Sequence, residues 1–369
     1  MQDKIFSYIR KSVSLFVILF FAASVSAQTQ IEKFIPGSTL EGVCYYLPRT
    51  AFRLVVTAEK RVTTPGEFHS YAYKYMRIQN VPVRPTTTWE VKSIQLIPYG
   101  TPDKDKAYSL KLKPRTVAPL VSLTTDGLLL GINTQESETH LPPVPESKVL
   151  SPAIQPSDIQ KFMTREMLQA GSVAKMAELV AQEIYDIRES RDALLRGEAD
   201  NTPKDGQQLK LMIDNLELQQ RVLGSLFVGT TEVSQHTYAV DVVPAEQTDK
   251  MVLFRFSKWS GLVDSDDMSG VPYYMSLKTI GELPPQSLDA QIQVKRGKML
   301  SAVYYNVPAQ AQVCIFSPTA TFVDMQLPMA QFGYTEVLSG VLFDKKPLTK
   351  VSFFQQTGGI KEIKADILN

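Results

Sequence analysis

The chain has 369 residues with 39 basic and 38 acidic side chains; the first 27 hold three basic and one acidic, so 36 face 37 in the remainder. That balance leaves no cationic excess to neutralise phosphates, which argues against nucleic-acid binding. The remainder, roughly 340 residues, has no apolar run approaching the roughly 20 that a membrane-spanning helix needs, and its size suggests two domains.

Residues 1–27 read as a cleavable signal peptide. Lys4, Arg10 and Lys11 form a positive start, an apolar run extends from Val13 to Ala23, and Val25-Ser26-Ala27 places small residues at −3 and −1. Cleavage is expected between Ala27 and Gln28. The cleavage point carries no cysteine, so a lipid anchor is not expected, and no membrane span is expected after signal removal.

Residues 28–133 form an N-terminal β-rich domain in this reading. Val43–Leu47 and Ala51–Val56 flank Pro48, which cannot donate to a ladder and predicts a kinked or edge strand. Thr64-Pro65-Gly66-Glu67 has the form of a capping box with proline at N1. The helix it would open buries Phe68, Tyr71, Tyr75 and Ile78; the rival is a strand with Tyr71, Tyr73 and Tyr75 on one side. Trp89–Ile97 and Ala107–Leu112 read as strands separated by a turn at Pro102-Asp103, and Asp126-Gly127 as the tight turn of a hairpin from Val121 to Leu130.

Residues 134–156, rich in Pro, Ser and Glu, read as a linker. Residues 157–228 carry the helical signal. Ser157-Asp158 can cap a first helix. Ala177, Val180, Ile184, Ile187 and Leu194 hold one face of a long one, and Gly197 suits its C′ position. After the polar turn at residues 201–206, Leu209, Ile213, Leu216, Leu223 and Leu226 mark a second helix, so the pair reads as an antiparallel hairpin with a charged closed end. Residues 229–369 return to strands as a C-terminal β-rich domain: Tyr238–Val243, Met251–Phe256, Tyr273–Leu277, Met299–Tyr305, Gln312–Phe316 and Thr349–Phe354, with Thr357-Gly358-Gly359 turning the last hairpin. A faint internal echo sets Tyr45-Tyr46-Leu47-Pro48 and Ala51 beside Tyr304-Tyr305-Asn306-Val307-Pro308 and Ala311.

Three runs, Ile184–Arg191, Gly197–Gly206 and Leu226–Gly229, resemble a family of exported proteins of Bacteroidota defined only as a domain of unknown function. Tyr46-Leu47-Pro48, Leu123–Gly127, Phe254-Arg255-Phe256, Gln331-Phe332-Gly333 and Thr357-Gly358-Gly359 are further, weaker matches. The resemblance covers nearly all of the chain after residue 27. It implies export from a Gram-negative cell, to the periplasm or outer surface, and it carries over no catalytic residues.

Candidate chemistry is sparse. Ser172-Val173-Ala174-Lys175 matches the S-x-x-K pair of penicillin-binding proteins and β-lactamases, and Tyr304-Tyr305-Asn306 could imitate their second motif. The third motif is missing, since Lys278-Thr279-Ile280-Gly281 departs from it, and Ser172 reads better as a helix cap. Asp264-Ser265-Asp266-Asp267 hints at calcium, but Met268 and Met275 stand where oxygen ligands are needed. His69, His140 and His236 are scattered. Trp89, Trp259, Tyr71, Tyr73, Tyr273 and Tyr274 could stack on a glycan or peptide, or simply pack. Arg188 and Arg191 are expected to pair with Glu217 or Asp214 across the hairpin. Cys44 and Cys314 are open to two readings, a disulfide or two buried thiols.

The expectation is an α+β protein with two mainly antiparallel β-rich regions, sandwich- or barrel-like, and a long α-helical hairpin between them. No catalytic, cofactor-binding or metal residues are assigned. The expected role is non-enzymatic binding or assembly in the cell envelope with a protein or glycan partner. The alternative is an exported hydrolase acting on envelope material or glycans.

Overall fold

The computed structural model describes residues 30–33, 42–111, 120–200, 202–286, 302–339 and 349–365. The expected signal peptide and its cleavage point at Ala27 and Gln28 lie outside the described residues. Strand β1 (Gln30–Lys33) precedes two long strands, β2 (Val43–Thr64) and β3 (Thr86–Lys111), between which a 3-10 turn (His69–Tyr71) leads into helix α1 (Ala72–Met76). Next come β4 (Val121–Leu123), β5 (Leu129–Ile132), β6 (Lys148–Ser151), the short helices α2 (Pro156–Phe162) and α3 (Arg165–Leu168), and the long helices α4 (Val173–Arg196) and α5 (Gly206–Val228). The remaining strands are β7 (Thr230–Val242), β8 (Thr248–Ser257), β9 (Gly261–Val263), β10 (Val271–Ile280), β11 (Ala302–Phe316), β12 (Thr321–Ser339), β13 (Thr349–Phe353) and β14 (Ile360–Ala365).

The strands form antiparallel sheets with orders β1-β3-β2-β7-β6, β12-β11-β10-β8-β9 and β14-β13-β5-β4, so the protein is α+β with the helical hairpin between its strand regions. Successive side chains on a strand point to opposite faces. Phe52, Leu54, Val56 and Ala58 of β2 therefore share one buried face, as do Ala309, Ala311, Val313 and Ile315 of β11. These two faces meet in a single core with Met275, Leu277, Leu327 and Met329. Each large side chain fully buried there contributes on the order of 1.5–3 kcal/mol. Strand β7 pairs with β2 from Phe52↔Val242 to Thr64↔Thr230, so strands from before and after the helical hairpin are joined in one sheet.

The same alternation disposes of both readings of the cysteines. Tyr45 and Leu47 take the inward positions of β2, and Val313 and Ile315 those of β11. Cys44 is left exposed and Cys314 half-buried, in different sheets, each a free thiol.

Four other expectations need correction. The Pro102-Asp103 turn is a bulge inside a continuous β3: between Tyr46↔Ala107 and Pro48↔Pro102, β2 advances two residues and β3 five. Thr64 does not cap a helix, because it is still paired to Thr230 in β2. A Cβ on Gly66 would overlap the Leu226 carbonyl, so the chain first passes close under α5 and turns helical only at His69. Phe68, Ala72 and Met76 then become the buried face, with Tyr71, Tyr75 and Ile78 packed beside them. Helix α2 begins at Pro156 with no side-chain cap from Ser157 or Asp158. The linker also contributes β6, which pairs with β7 at the edge of the first sheet.

The internal echo has a structural counterpart. In the β11–β12 hairpin, between Val307↔Tyr334 and Ala309↔Met329, β11 again advances two residues while β12 advances five. Beside each bulge a glycine of a following short hairpin offers its carbonyl: Tyr46 N–H donates to Gly127 O (2.8 Å), and Asn306 N–H to Gly358 O (3.1 Å). Both glycines have positive φ, 82° and 69°, the conformation a tight turn requires. Tyr45, Tyr108 and Tyr304 seal the junction of the two halves, Tyr108 stacking on Tyr304 at 4.3 Å and the Tyr45 hydroxyl accepting from Tyr304 N–H at 3.0 Å. Burial pushes the Tyr108 phenol up to about 12.

Candidate functional site

Helices α4 and α5 are about 35 Å long at 1.5 Å per residue. Ser172 starts α4 as its N-cap, its hydroxyl accepting from Lys175 N–H (3.2 Å), and Gly197 ends it in the left-handed conformation, φ 71°. Ala177, Val180, Ile184 and Ile187 of the expected face are buried, joined by Ala181. They pack on Leu223, Leu226 and Phe227 of α5 and on Phe68, Ala72 and Met76 beneath. The base of the hairpin is thereby fixed to the body: Phe68 N–H donates to Leu226 O at 2.7 Å, and Phe68 meets Phe227 edge-on with centroids 5.5 Å apart.

The closed end has no such backing. None of residues 206–221 is buried, although Leu209, Leu211, Met212, Ile213, Leu216 and Leu218 fall there. Leu211 is 69% exposed, Leu195 61%, Leu218 44% and Met212 42%. An open cavity of about 630 Å³ borders Met212, between Ala193 and Leu194 of α4 and Met212 and Leu216 of α5, with Ser190, Asn215, Gln219, Glu198 and Asp200 at the rim. Single exposed leucines are ordinary. Of the four, Met212 lines that concavity, together with the less exposed Leu194 and Leu216. Arg196 already pairs with Glu198 (3.0 Å), which leaves Asp200 to make the rim acidic.

The structure disperses the other candidates. Lys175 turns from Ser172 to Glu178 (2.9 Å), whose carboxylate holds the ammonium above the usual lysine range. A serine–lysine pair needs the reverse, a lysine made neutral to accept a proton. Arg191 reaches Asp192 and Gln220 rather than Glu217 or Asp214, and Arg188 lies over the Tyr185 ring. Asp267 accepts from Ser269 N–H in an exposed turn, and among the described residues no three His, Cys, Asp or Glu gather to hold a metal. His69 bonds the Gly66 carbonyl, and His140 stands exposed beside Glu138. His236 contacts Ser234 at 3.0 Å under the Trp89 ring, but Ser234 is buried and no carboxylate orients the imidazole among the described contacts. Tyr273 is core, Tyr71 and Tyr274 are half-buried, and Tyr73 and Trp259 are exposed beside Arg77 and Lys258.

A second concavity of about 390 Å³ lies under residues 136–142, floored by Tyr99, Leu130, Phe353 and Phe354. The Gln355 amide holds the covering segment as a strand would, accepting from Thr139 N–H (2.7 Å) and donating to its carbonyl (3.0 Å).

The exposed leucines of the hairpin were not among the expected site residues. Their signal is present in α5, which is apolar at 209, 211, 212, 213, 216 and 218, a wider arc than one buried stripe uses. Among the described residues no helix is long and apolar enough to cross a membrane.

A family model described as "Domain of unknown function (DUF4831)" matches residues 41–361, and the chain belongs to that family. No curated protein matches it, and neither does any solved structure.

Proposed function

We propose that this member of the DUF4831 family is exported to the cell envelope and acts there without catalysis, by binding another protein at the closed end of its helical hairpin. The observation that carries the reading is the open cavity between α4 and α5, lined by Leu194, Leu216 and the exposed Met212, on a stretch of hairpin that also exposes Leu195, Leu211 and Leu218. A groove with an apolar floor takes the apolar face of an amphipathic helix, and the acidic rim at Asp200 favours basic residues flanking that face. The ligand class is therefore a basic amphipathic segment of a partner protein.

A synthetic leucine–lysine amphipathic peptide is the probe. It should bind saturably, and Met212→Lys should weaken it about tenfold or more, equivalent to about 1.4 kcal/mol, while the melting temperature stays unchanged. Absence of saturable binding, or binding indifferent to Met212→Lys, would remove the groove from consideration. Export rests on the amino-terminal pattern. Edman sequencing of the protein recovered from the envelope should begin at Gln28, and a chain retaining residues 1–27 would refute it.

A further inference from the structure

We infer that copies of this chain add to one another edge to edge, β4 of one pairing with β14 of the next. The inference is independent of the hairpin groove and comes from how the third sheet is assembled. Its two hairpins are repeats. Val121-Ser122-Leu123 in β4 corresponds to Val351-Ser352-Phe353 in β13. The pairs Val121↔Ile132, Ser122↔Gly131 and Leu123↔Leu129 match Val351↔Ile363, Ser352↔Glu362 and Phe353↔Ile360, with the bulge at the same step.

Two equivalent hairpins can join in one of two ways. Like strands can meet about a dyad, which leaves a like pair at the ends, or unlike strands can meet head to tail, which leaves an unlike pair free. Here the sheet order is β14-β13-β5-β4, so the second strand of the first hairpin meets the first strand of the second. The contact pairs Ile132 with Val351 and Gly131 with Ser352. The strands left at the two ends, β4 and β14, are the same unlike pair again, and among the described residues no strand lies beyond either. Repeating the internal contact between molecules sets Ile363 against Val121 of the next copy, and Glu362 against its Ser122. Burial agrees with that register. Ile132 is 2% exposed inside the sheet, whereas Ile363, its counterpart on the free edge, is 48% exposed.

Charged residues on an edge strand normally deter pairing. Those of β14 are engaged within one molecule, Lys361 with Glu136 (3.1 Å) and Lys364 with Glu362 (2.8 Å). They leave Ile363 as the apolar point of contact. β4 is only three residues long, so each contact is short and assembly is favoured by high concentration, as at a surface or in a confined compartment.

Sedimentation of the chain from Gln28 onward should show a mass that rises with concentration past the dimer, and Ile363→Lys should return it to monomer. The direction of pairing is read by cross-linking. Val121→Cys and Ile363→Cys are made separately, each with Cys44→Ser and Cys314→Ser. Disulfide-linked dimers should form when the two variants are mixed and not in either alone. A monomer at every concentration overturns the proposal. So does a mass that stops at the dimer, or cross-linking within one variant alone, because each indicates like edges meeting.

Discussion

Asn306→Asp is expected to destabilise the protein by roughly 3–5 kcal/mol at neutral pH, the usual cost of a buried charge left without a partner. Asn306 is fully buried, and its amide nitrogen donates to the carbonyls of Pro48 (3.0 Å) and Thr357 (2.9 Å). Those two acceptors fix the amide orientation, since the reverse would set oxygen against oxygen. One side chain thus ties β2, β11 and the β13–β14 turn together.

An aspartate there has nothing to donate when ionised. Its folded-state pKa must then rise above the unfolded value near 3.9. For a group shifted in that direction, stability is greatest below the unfolded pKa and is lost as pH rises through the folded one. Near pH 4 the protonated side chain restores one of the two donations, and the deficit should shrink to about 1–3 kcal/mol for the remaining orphan. Urea midpoints of variant and wild type at both pH values measure this. A deficit under about 1 kcal/mol, or one that does not grow with pH, contradicts the proposed role of the amide.

Phe227→Ala should cost about 3–5 kcal/mol, as large-to-small changes at packed aromatic sites do. The larger effect is where the cost falls. Phe227 is fully buried in the cluster that fastens α4 and α5 to Phe68, Ala72 and Met76, and it is absent from the core between the two large sheets. Amide exchange should therefore accelerate throughout α4 and α5 while β2, β10 and β11 keep their protection. Equal acceleration in sheets and helices would mean that the hairpin and the sheets unfold as one unit.

Local signals predicted local features well. The spacing of Ala177, Val180, Ile184 and Ile187, the Ser172 cap, Gly197, and the turns at Gly127 and Gly358 all appear where residue chemistry places them. Apart from the absent cap at Ser157-Asp158, a local miss, the misses come from long-range pairing. Pro102-Asp103 ordinarily turns a chain, yet here the partner strand β2 holds the segment extended and absorbs the extra residues as a bulge. β12 was not anticipated, because Pro328 and Gly333 interrupt its alternation; Pro328 still pairs with Gln310, and a Cβ at Gly333 would overlap the Val307 carbonyl beside the bulge. β6 exists because β7 presents an open edge to it. The site followed the same rule. The helix carrying Leu211 and Leu218 is legible in sequence, but their exposure depends on where the body beneath the hairpin stops.

The position of β2 between β3 and β7 has a consequence in time. Its first neighbour follows within a few dozen residues, whereas the cross-strand bond of Thr63 to Thr231 spans 168 positions and the bond of Thr50 to the Gln356 carbonyl, in the β13–β14 turn, spans 306. A chain emerging from its amino terminus can close the β2–β3 hairpin early, but that hairpin must wait for the helices and β7 before its second edge is satisfied. Contacts so distant are slow to form, because loop-closure entropy is paid before they contribute. During that interval a long strand rich in valine and threonine stands open, as partly folded sheets do when they aggregate. Folding of this protein is thus a race between β7 and a neighbouring molecule for the same edge.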